Sequence, residues 1–249
     1  MNSLKIILLM LLLAIAMHLT ACARVTGGSR ITFSASPKFL IAGQSNGVSP
    51  AQLHMPYWSQ TGLVTVTDVY GGRIQRVPTQ TNPIDSSITW IYLGDRINRT
   101  VEFVNIALGN QSTQKWSDTH FDSMMKPAIE ASDFDAVLWV QGESDIAEFI
   151  PEETTYSNMK SLITRSREIR PGLVWFVALD SDITGRYKGT NSVRRSQQRI
   201  INEGLAQQGP DLDQLREHRE NCETSFVEFV GVGLRAHADL WFQVLQPHL

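Results

Sequence analysis

The stretch KFLIAGQSNG, residues 38–47, decides the fold of this 249-residue chain. It opens with a near-continuous apolar run, which is typical of a strand that helices cover on both faces. Gly43 ends the run and permits a sharp turn, and Ser45 follows within that turn. Ligands of open α/β sheets bind at the carboxyl ends of the strands. The stretch therefore predicts a buried parallel strand that delivers a serine hydroxyl to the ligand-binding edge, where it could act as a nucleophile.

A second segment, FDAVLWVQGESD at residues 134–145, is organised in the same way. Its apolar run leads into Gln141, Glu143 and Asp145, so an amide and two carboxylates reach a comparable edge. An amide N–H at such an edge can stabilise an oxyanion. We therefore expect the two segments to build one site from two strands.

These segments carry a resemblance to a known family. GQSN and WVQGESD resemble the first and third motif blocks of the SGNH (GDSL-like) hydrolase superfamily, in particular its sialate O-acetylesterase-like branch. NIALGNQSTQKW, residues 105–116, is similar to the second block, in which a glycine, here Gly109, offers its N–H to the oxyanion. VRRSQ resembles a helical Arg-x-x-Gln element and maps Arg194 and Gln197, although charges on a solvated helix face would give the same pattern.

The resemblance implies a serine esterase that removes O-acyl groups, in particular O-acetyl groups, from a carbohydrate. Ser45 would form the acyl-enzyme, and the N–H groups of Ser45 and Gly109 with the side chain of Gln141 would hold the oxyanion. The predicted substrate-binding residues are Gln44, Asn46 and Glu143. No metal or organic cofactor is expected, because no His or Cys cluster has ligand spacing. Three tryptophans could stack on sugar rings or pack in the core: Trp58, Trp90 and Trp116.

The general base is ambiguous in the sequence. The family pattern places Asp-x-x-His before the last helix, and His237 is the nearest histidine, but its third residue upstream is Leu234. In a second register the pattern falls on residues 225–229, where Glu228 stands at the position of the histidine and Ser225 at that of the aspartate. His237 would then lie inside the last helix as a structural residue. Both His237 and Glu228 remain candidates, and a non-catalytic carbohydrate-binding protein or an O-acetyltransferase is the alternative function.

Alternating strand and helix patterns predict an α/β fold, namely a three-layer α/β/α, flavodoxin-like sandwich with a mainly parallel sheet. Residues 48–86 are rich in Pro and Gly and are expected to form long loops. After the first strand, we predict strands over residues 101–108, 136–140 and 173–179, and helices over residues 87–99, 118–131, 151–169, 192–207 and 233–246.

The amino terminus predicts export. Lys5 precedes an apolar run over residues 6–19. The length of this run is typical of a secretory signal and is too short to span a membrane comfortably. Residues 19–22, LTAC, resemble the bacterial lipobox, so Cys22 would carry the lipid anchor and residues 22–37 would form a tether to a single domain over residues 38–249. Cleavage after Ala23 would instead give a soluble periplasmic or secreted protein. The net charge of −3 is mildly acidic, so we expect no nucleic-acid partner.

Overall fold

The computed structural model describes residues 31–49, 59–69, 75–76, 86–181, 192–219, 229 and 231–249. Phe33–Leu249 form one compact unit. Within this unit the Phe33 ring packs 5.1 Å from that of Phe39. No helix in these ranges is long and apolar enough to cross a bilayer. The predicted signal segment with Cys22, and also Trp58, Ser225 and Glu228, lie outside the described residues.

Seven strands in the described ranges form one sheet in the order β3-β2-β4-β1-β5-β6-β7. All neighbouring strands are parallel except β2 and β3. The first strand is central, since Ile41 lies opposite Asn105 on one side and Leu138 on the other. The strands are β1 Lys38–Gly43, β2 Val64–Asp68, β3 Gln75–Arg76, β4 Val101–Asn105, β5 Ala136–Val140, β6 Val174–Leu179 and β7 Gln207–Asp211.

Helices cover both faces of the sheet, so the predicted three-layer α/β/α sandwich is confirmed. The described helices are α1 Ser45–Val48, α2 Ile88–Ile97, α3 Thr113–Lys115, a π-helix Trp116–Met125, α4 Lys126–Ala131, α5 Glu143–Ala147, α6 Glu152–Ile169, α7 Ser192–Asn202 and α8 Val232–Leu245, with 3-10 helices Leu212–His218 and Gln246–His248. One face packs Val137 and Trp139 of β5 against the π-helix, α4, α6 and α7. The other packs Phe103 of β4 against Trp90 of α2, which contacts Trp241 of α8.

Three strands were not predicted. The segment expected to be long loops contains β2 and β3, and the helix predicted over residues 192–207 ends at Asn202, so that QQGPD can form β7. This edge strand has no apolar run. Gly209 nevertheless passes so close to β6 that a Cβ there would lie 2.8 Å from the backbone nitrogen of Ala178. Close backbone approach, rather than side-chain burial, places β7 in the sheet.

The helix predicted over residues 118–131 begins earlier, at Thr113, and its middle is a π-helix. The Thr113 N–H donates to the Asp145 carboxylate at 2.7 Å, which satisfies one of the free donors at this helix end. Because Asp145 belongs to α5, the local sequence around residue 113 does not reveal this cap.

Gly43 makes the turn at the end of β1 possible. Its φ is +128°, and a Cβ at this position would lie 1.9 Å from the carbonyl oxygen of Val140 in β5. Any other residue would clash with the neighbouring strand. The predicted role of this glycine is confirmed, and the turn places Ser45 at the carboxyl edge of the sheet.

Candidate active site

Ser45 is the first residue of α1, directly after β1, and it is half-buried. Its hydroxyl makes no hydrogen bond with the described part of the chain. Gly109, in the loop after β4, lies beside it, since a Cβ on Gly109 would be 3.9 Å from the Ser45 Cβ. The backbone N–H groups of these two residues likewise have no acceptor among the described residues. Two N–H donors and a free hydroxyl therefore meet at one edge, an arrangement that suits a developing negative charge.

Glu143 holds the turn on both sides of Ser45. Asn46 Nδ2 donates to Glu143 Oε1 at 2.8 Å, and Gln44 Nε2 donates to the other carboxylate oxygen. The Ser144 N–H returns a hydrogen bond to Gln44 Oε1 at 2.8 Å. These side chains are buried, and their polar atoms satisfy one another as buried polar groups must. Gln44, Asn46 and Glu143, which were predicted to bind substrate, therefore fix the serine turn in the structure, and their contact with substrate stays a prediction.

Arg219 completes a buried charged cluster. Its guanidinium donates to Glu143 Oε1 at 2.6 Å and to Asp180 Oδ1 at 2.8 Å. Burial, and then the charge of Asp180, hold the pKa of Glu143 well above its usual range. Burial would lower the pKa of Arg219, but Asp180 and Glu143 raise it further, so this residue stays cationic. We call Glu143, Asp180 and Arg219 the charged cluster.

The charged cluster also reaches the chain that precedes α8. The Arg219 guanidinium lies 4.6 Å from the centre of the Phe229 ring, and the two residues form an antiparallel bridge. The Phe229 N–H donates to Asn46 Oδ1 at 3.2 Å. Residue 229 is therefore anchored at the serine turn. Sequence reasoning missed Arg219, since nothing local distinguishes this arginine from the solvated ones.

His237 lies inside α8 and is fully buried. Its Nε2 accepts the Trp241 Nε1–H at 3.1 Å, so the proton resides on Nδ1, which lies 3.4 Å from Thr89 Oγ1. Burial, and then the charge of Arg219, lower the pKa of His237 to about 3. No hydrogen bond joins this ring to Ser45. Both ring nitrogens already have structural partners, so the structure does not bring the predicted base into hydrogen-bond contact with Ser45.

Gln141 ends β5 and is fully buried. Its Nε2 donates to Asp145 Oδ1 at 2.6 Å, while its Oε1 has no hydrogen-bond partner among the described residues. Asp145 also accepts from Thr113 and Thr155, and burial raises its pKa although these hydrogen bonds oppose the shift. The carboxylate orients the Gln141 amide group, and the role of Gln141 as an oxyanion donor stays a prediction.

The Arg-x-x-Gln element is not a solvated helix face. Gln197 is fully buried and its Nε2 donates to the carbonyl oxygens of Gln141 at 2.9 Å and Asp180 at 3.2 Å. Arg194 binds both carboxylate oxygens of Asp211 and also contacts Asp213. The element therefore clamps the carboxyl ends of β5 and β6, where the site residues emerge.

The core interpretation of Trp90 and Trp116 is confirmed, since both are fully buried. Their indole N–H groups donate to the carbonyl oxygens of Gly47 at 2.8 Å and Gly43 at 3.0 Å. They support the serine turn from within. In the ranges described here, no three His, Cys, Asp or Glu side chains are grouped so that they could hold a metal ion.

Comparisons with known proteins agree with this geometry. No curated protein sequence matches the chain significantly. Three solved structures share its fold, at identities that show the fold alone. A protein from Arabidopsis thaliana is 16% identical, with 86% of this chain and 98% of that chain covered and a TM-score of 0.56. A GDSL-like lipase candidate from Parabacteroides merdae is 10% identical, with 88% and 99% covered and a TM-score of 0.58. A carbohydrate acetylesterase from Xanthomonas citri is 13% identical, with 84% and 56% covered and a TM-score of 0.56.

A family model confirms the predicted membership of the SGNH superfamily, in its sialate O-acetylesterase-like branch. The model, described as carbohydrate esterase, sialic acid-specific acetylesterase (SASA), matches residues 88–224, more than half of the chain. The match includes the Gly109 and Gln141 segments and begins after Ser45. The chain belongs to the SASA family of carbohydrate esterases.

Proposed function

We propose that the protein hydrolyses O-acyl esters, in particular O-acetyl esters, of a carbohydrate through an acyl-enzyme on Ser45. The observation that carries this proposal is the position of the Ser45 hydroxyl, which has no described partner and lies next to Gly109 at the carboxyl edge of the sheet. A hydroxyl with free N–H donors beside it is what attack on an ester carbonyl requires. Family membership supports the ester, and the carbohydrate is the finer part of the proposal.

In the proposed reaction, Ser45 Oγ attacks the carbonyl carbon while its proton passes to a base. The N–H groups of Ser45 and Gly109, with the second N–H of Gln141, bind the oxyanion. Collapse breaks the bond to the sugar oxygen, which takes the proton from the base, and a water molecule then cleaves the acyl group from Ser45. Removing a single oxyanion donor from such a site typically lowers kcat by about 10²- to 10³-fold.

We assign the base to Glu228. Phe229 is anchored at the serine turn through its N–H bond to Asn46, and Glu228 is the residue immediately before it. This favours the second register of the family pattern, in which Glu228 stands at the position of the histidine. Because a carboxylate is a weak base near neutral pH, the expected turnover is low compared with that of a Ser-His esterase.

The test measures acid release from p-nitrophenyl acetate and from O-acetylated glycans. We expect slow turnover by the wild type, none by Ser45→Ala, and a loss of about 10²- to 10⁴-fold in Glu228→Gln. Turnover that survives in Glu228→Gln would remove the carboxylate from the mechanism. Wild-type rates equal to those of Ser45→Ala on every ester would overturn the esterase proposal.

A second candidate is a carbohydrate-binding protein without turnover. It is favoured by one observation, namely that no described histidine contacts Ser45. In that case the protein would bind acetylated glycans with the same affinity in the wild type and in Ser45→Ala. The esterase requires instead that Ser45→Ala binds the ester and fails to cleave it.

The place of this activity is a further part of the proposal and rests on the sequence alone. The apolar segment at residues 6–19 and the lipobox-like residues 19–22 support export and a lipid anchor on Cys22. The catalytic domain would then act in the bacterial cell envelope on carbohydrate within reach of the membrane.

A further inference from the structure

His120 is a histidine near the active edge to which the proposed reaction gives no role. It lies in the π-helix and is half-buried, and its ring packs 5.4 Å from that of Trp116. Long π-helical turns are rare and are frequent at functional sites. Trp116 itself donates to the carbonyl oxygen of Gly43. The helix that carries His120 is therefore tied to the end of β1, directly before Ser45.

A chain of hydrogen bonds leads from His120 to the carbonyl oxygen of Gly109, the residue whose N–H is the predicted oxyanion donor. His120 Nε2 lies 2.9 Å from Gln111 Oε1, and Gln111 Nε2 donates to the Gly109 carbonyl oxygen at 2.9 Å. Since the Gln111 oxygen can only accept, His120 must donate from Nε2. The histidine therefore sets which end of the Gln111 amide faces Gly109.

Residues 109–111 lie in the loop after β4, and hydrogen bonds hold this segment on both sides of Gly109. The Leu108 N–H donates to the Gly43 carbonyl oxygen at 3.1 Å. On the other side, the Asn110 carbonyl oxygen accepts from Lys115 Nζ at 3.2 Å, and Asn110 has a positive φ of 59°. The Gly109 carbonyl group is held by its hydrogen bond from Gln111, and His120 in turn fixes the orientation of the Gln111 amide. Without that contact one of the three anchors of the loop is lost.

We propose that His120 is a positioning residue for the oxyanion site, acting through Gln111 to fix the Gly109 peptide beside Ser45. The inference rests on the proposed function, because only a reaction with an oxyanion requires an ordered Gly109 N–H. A displaced donor weakens binding of the transition state more than binding of the substrate. Loss of the contact should therefore lower kcat and leave KM nearly unchanged.

The experiment compares His120→Phe, which keeps a ring against Trp116 and removes the donor, with His120→Gln, which keeps a side-chain N–H. The 15N order parameter of the Gly109 N–H, measured by NMR on the full chain, reports the mobility of this donor without any need for turnover. We expect it to fall from about 0.85 to below about 0.6 in His120→Phe and to stay near the wild-type value in His120→Gln. The kcat on p-nitrophenyl acetate should fall about tenfold in His120→Phe alone.

The two readouts separate the two claims. An unchanged order parameter of Gly109 in His120→Phe would overturn the positioning role, whatever the kinetics. Equal effects of His120→Phe and His120→Gln would also overturn it, because the donor would then be irrelevant. If the wild type cleaves no ester but Gly109 loosens only in His120→Phe, the esterase proposal fails while the positioning of Gly109 by His120 stands.

Discussion

Two buried clusters contact the serine turn, and they use titratable residues in opposite ways. The charged cluster joins three separate segments through ion pairs between Arg219 and two carboxylates. The second cluster, Trp90, His237 and Trp241, is aromatic, and His237 is neutral within it because burial lowers its pKa to about 3. Phe229 touches both, since its ring lies 4.6 Å from the Arg219 guanidinium and 5.0 Å from the His237 ring.

The difference shows that burial of an ionisable group beside a nucleophile does not make it catalytic. The partners of the group decide its role. The hydrogen bonds of His237 go to neighbours on α2 and α8, so its ring serves as a packing unit with two polar contacts. Glu143 binds the residues on both sides of Ser45, so it controls the position of the serine without touching it.

The largest expected effect comes from breaking the charged cluster. Arg219→Met leaves the Asp180 carboxylate buried without the cation that it contacts, and removing one partner of a buried ion pair typically costs about 3–5 kcal/mol. We expect the free energy of unfolding, measured by urea titration at pH 7, to fall by this amount. Ester turnover should fall as well, because Arg219 contacts Glu143 and Phe229, and both of these residues hydrogen-bond to Asn46 in the serine turn.

Arg194→Met is the matched control. Arg194 also binds two aspartates, but its side chain is 29% exposed, whereas that of Arg219 is 0% exposed. Water can solvate the carboxylates that Arg194 would leave, so its loss should cost about 1 kcal/mol or less. Equal losses in the two variants would show that burial does not distinguish these arginines.

The comparison also explains what the sequence could predict. The strand that carries Ser45, the glycine that turns it and the strand that carries Gln141 were predicted, because apolar runs that end in polar residues are a local signal. The layers of the sandwich followed from the alternation of these runs with helical patterns. Each of these signals lies within a short stretch of sequence, and together they placed Ser45 and Gln141 at the same edge of the sheet.

The rest depends on contacts between distant segments. Arg219 is 76 positions from Glu143 in the sequence, and its role exists only where the two meet. We expected Gln44, Asn46 and Glu143 to bind substrate. Their hydrogen bonds join residues that are about 100 positions apart, and the sequence alone does not show such contacts. The sequence allowed two alignments of the family pattern, one with His237 before the last helix and one with His237 inside it. The structure places His237 inside α8.

His237→Gln tests the aromatic cluster, since glutamine can still accept from Trp241. The pKa of His237 is lowered to about 3 in the folded protein, so the unfolded chain binds the extra proton as pH falls from about 6.5 to about 3. Wild-type stability should therefore decrease over this window by up to about 1.4 kcal/mol per pH unit relative to the variant. Urea titrations at pH 7, 6 and 5 measure the difference, since most other titrations are common to both proteins.

The same variant separates packing from catalysis. With His237 as a structural residue, His237→Gln should keep its ester turnover at pH 7. A folded variant that has lost turnover would restore His237 as the base. If the stabilities of the wild type and His237→Gln changed in parallel with pH, the ring would have the same pKa in the folded and unfolded chains. That result would contradict the burial of His237 in α8.

The smallest expected effect is the reverse pH dependence of the charged cluster. Burial raises the pKa of Glu143 in the folded protein, so the folded state retains a proton that the unfolded chain releases above about 4.5. Stability should therefore fall as pH rises above about 4.5, opposite in sign to the effect of His237. Glu143→Gln should flatten this fall. Its amide oxygen can still accept from Arg219, but its amide nitrogen would face the Gln44 Nε2 donor, a mismatch that should lower stability by about 1–3 kcal/mol at every pH without itself changing the slope. Urea titrations from pH 5 to pH 8 measure it. A variant that keeps the wild-type slope would show that Glu143 is ionised throughout, with Arg219 outweighing its burial.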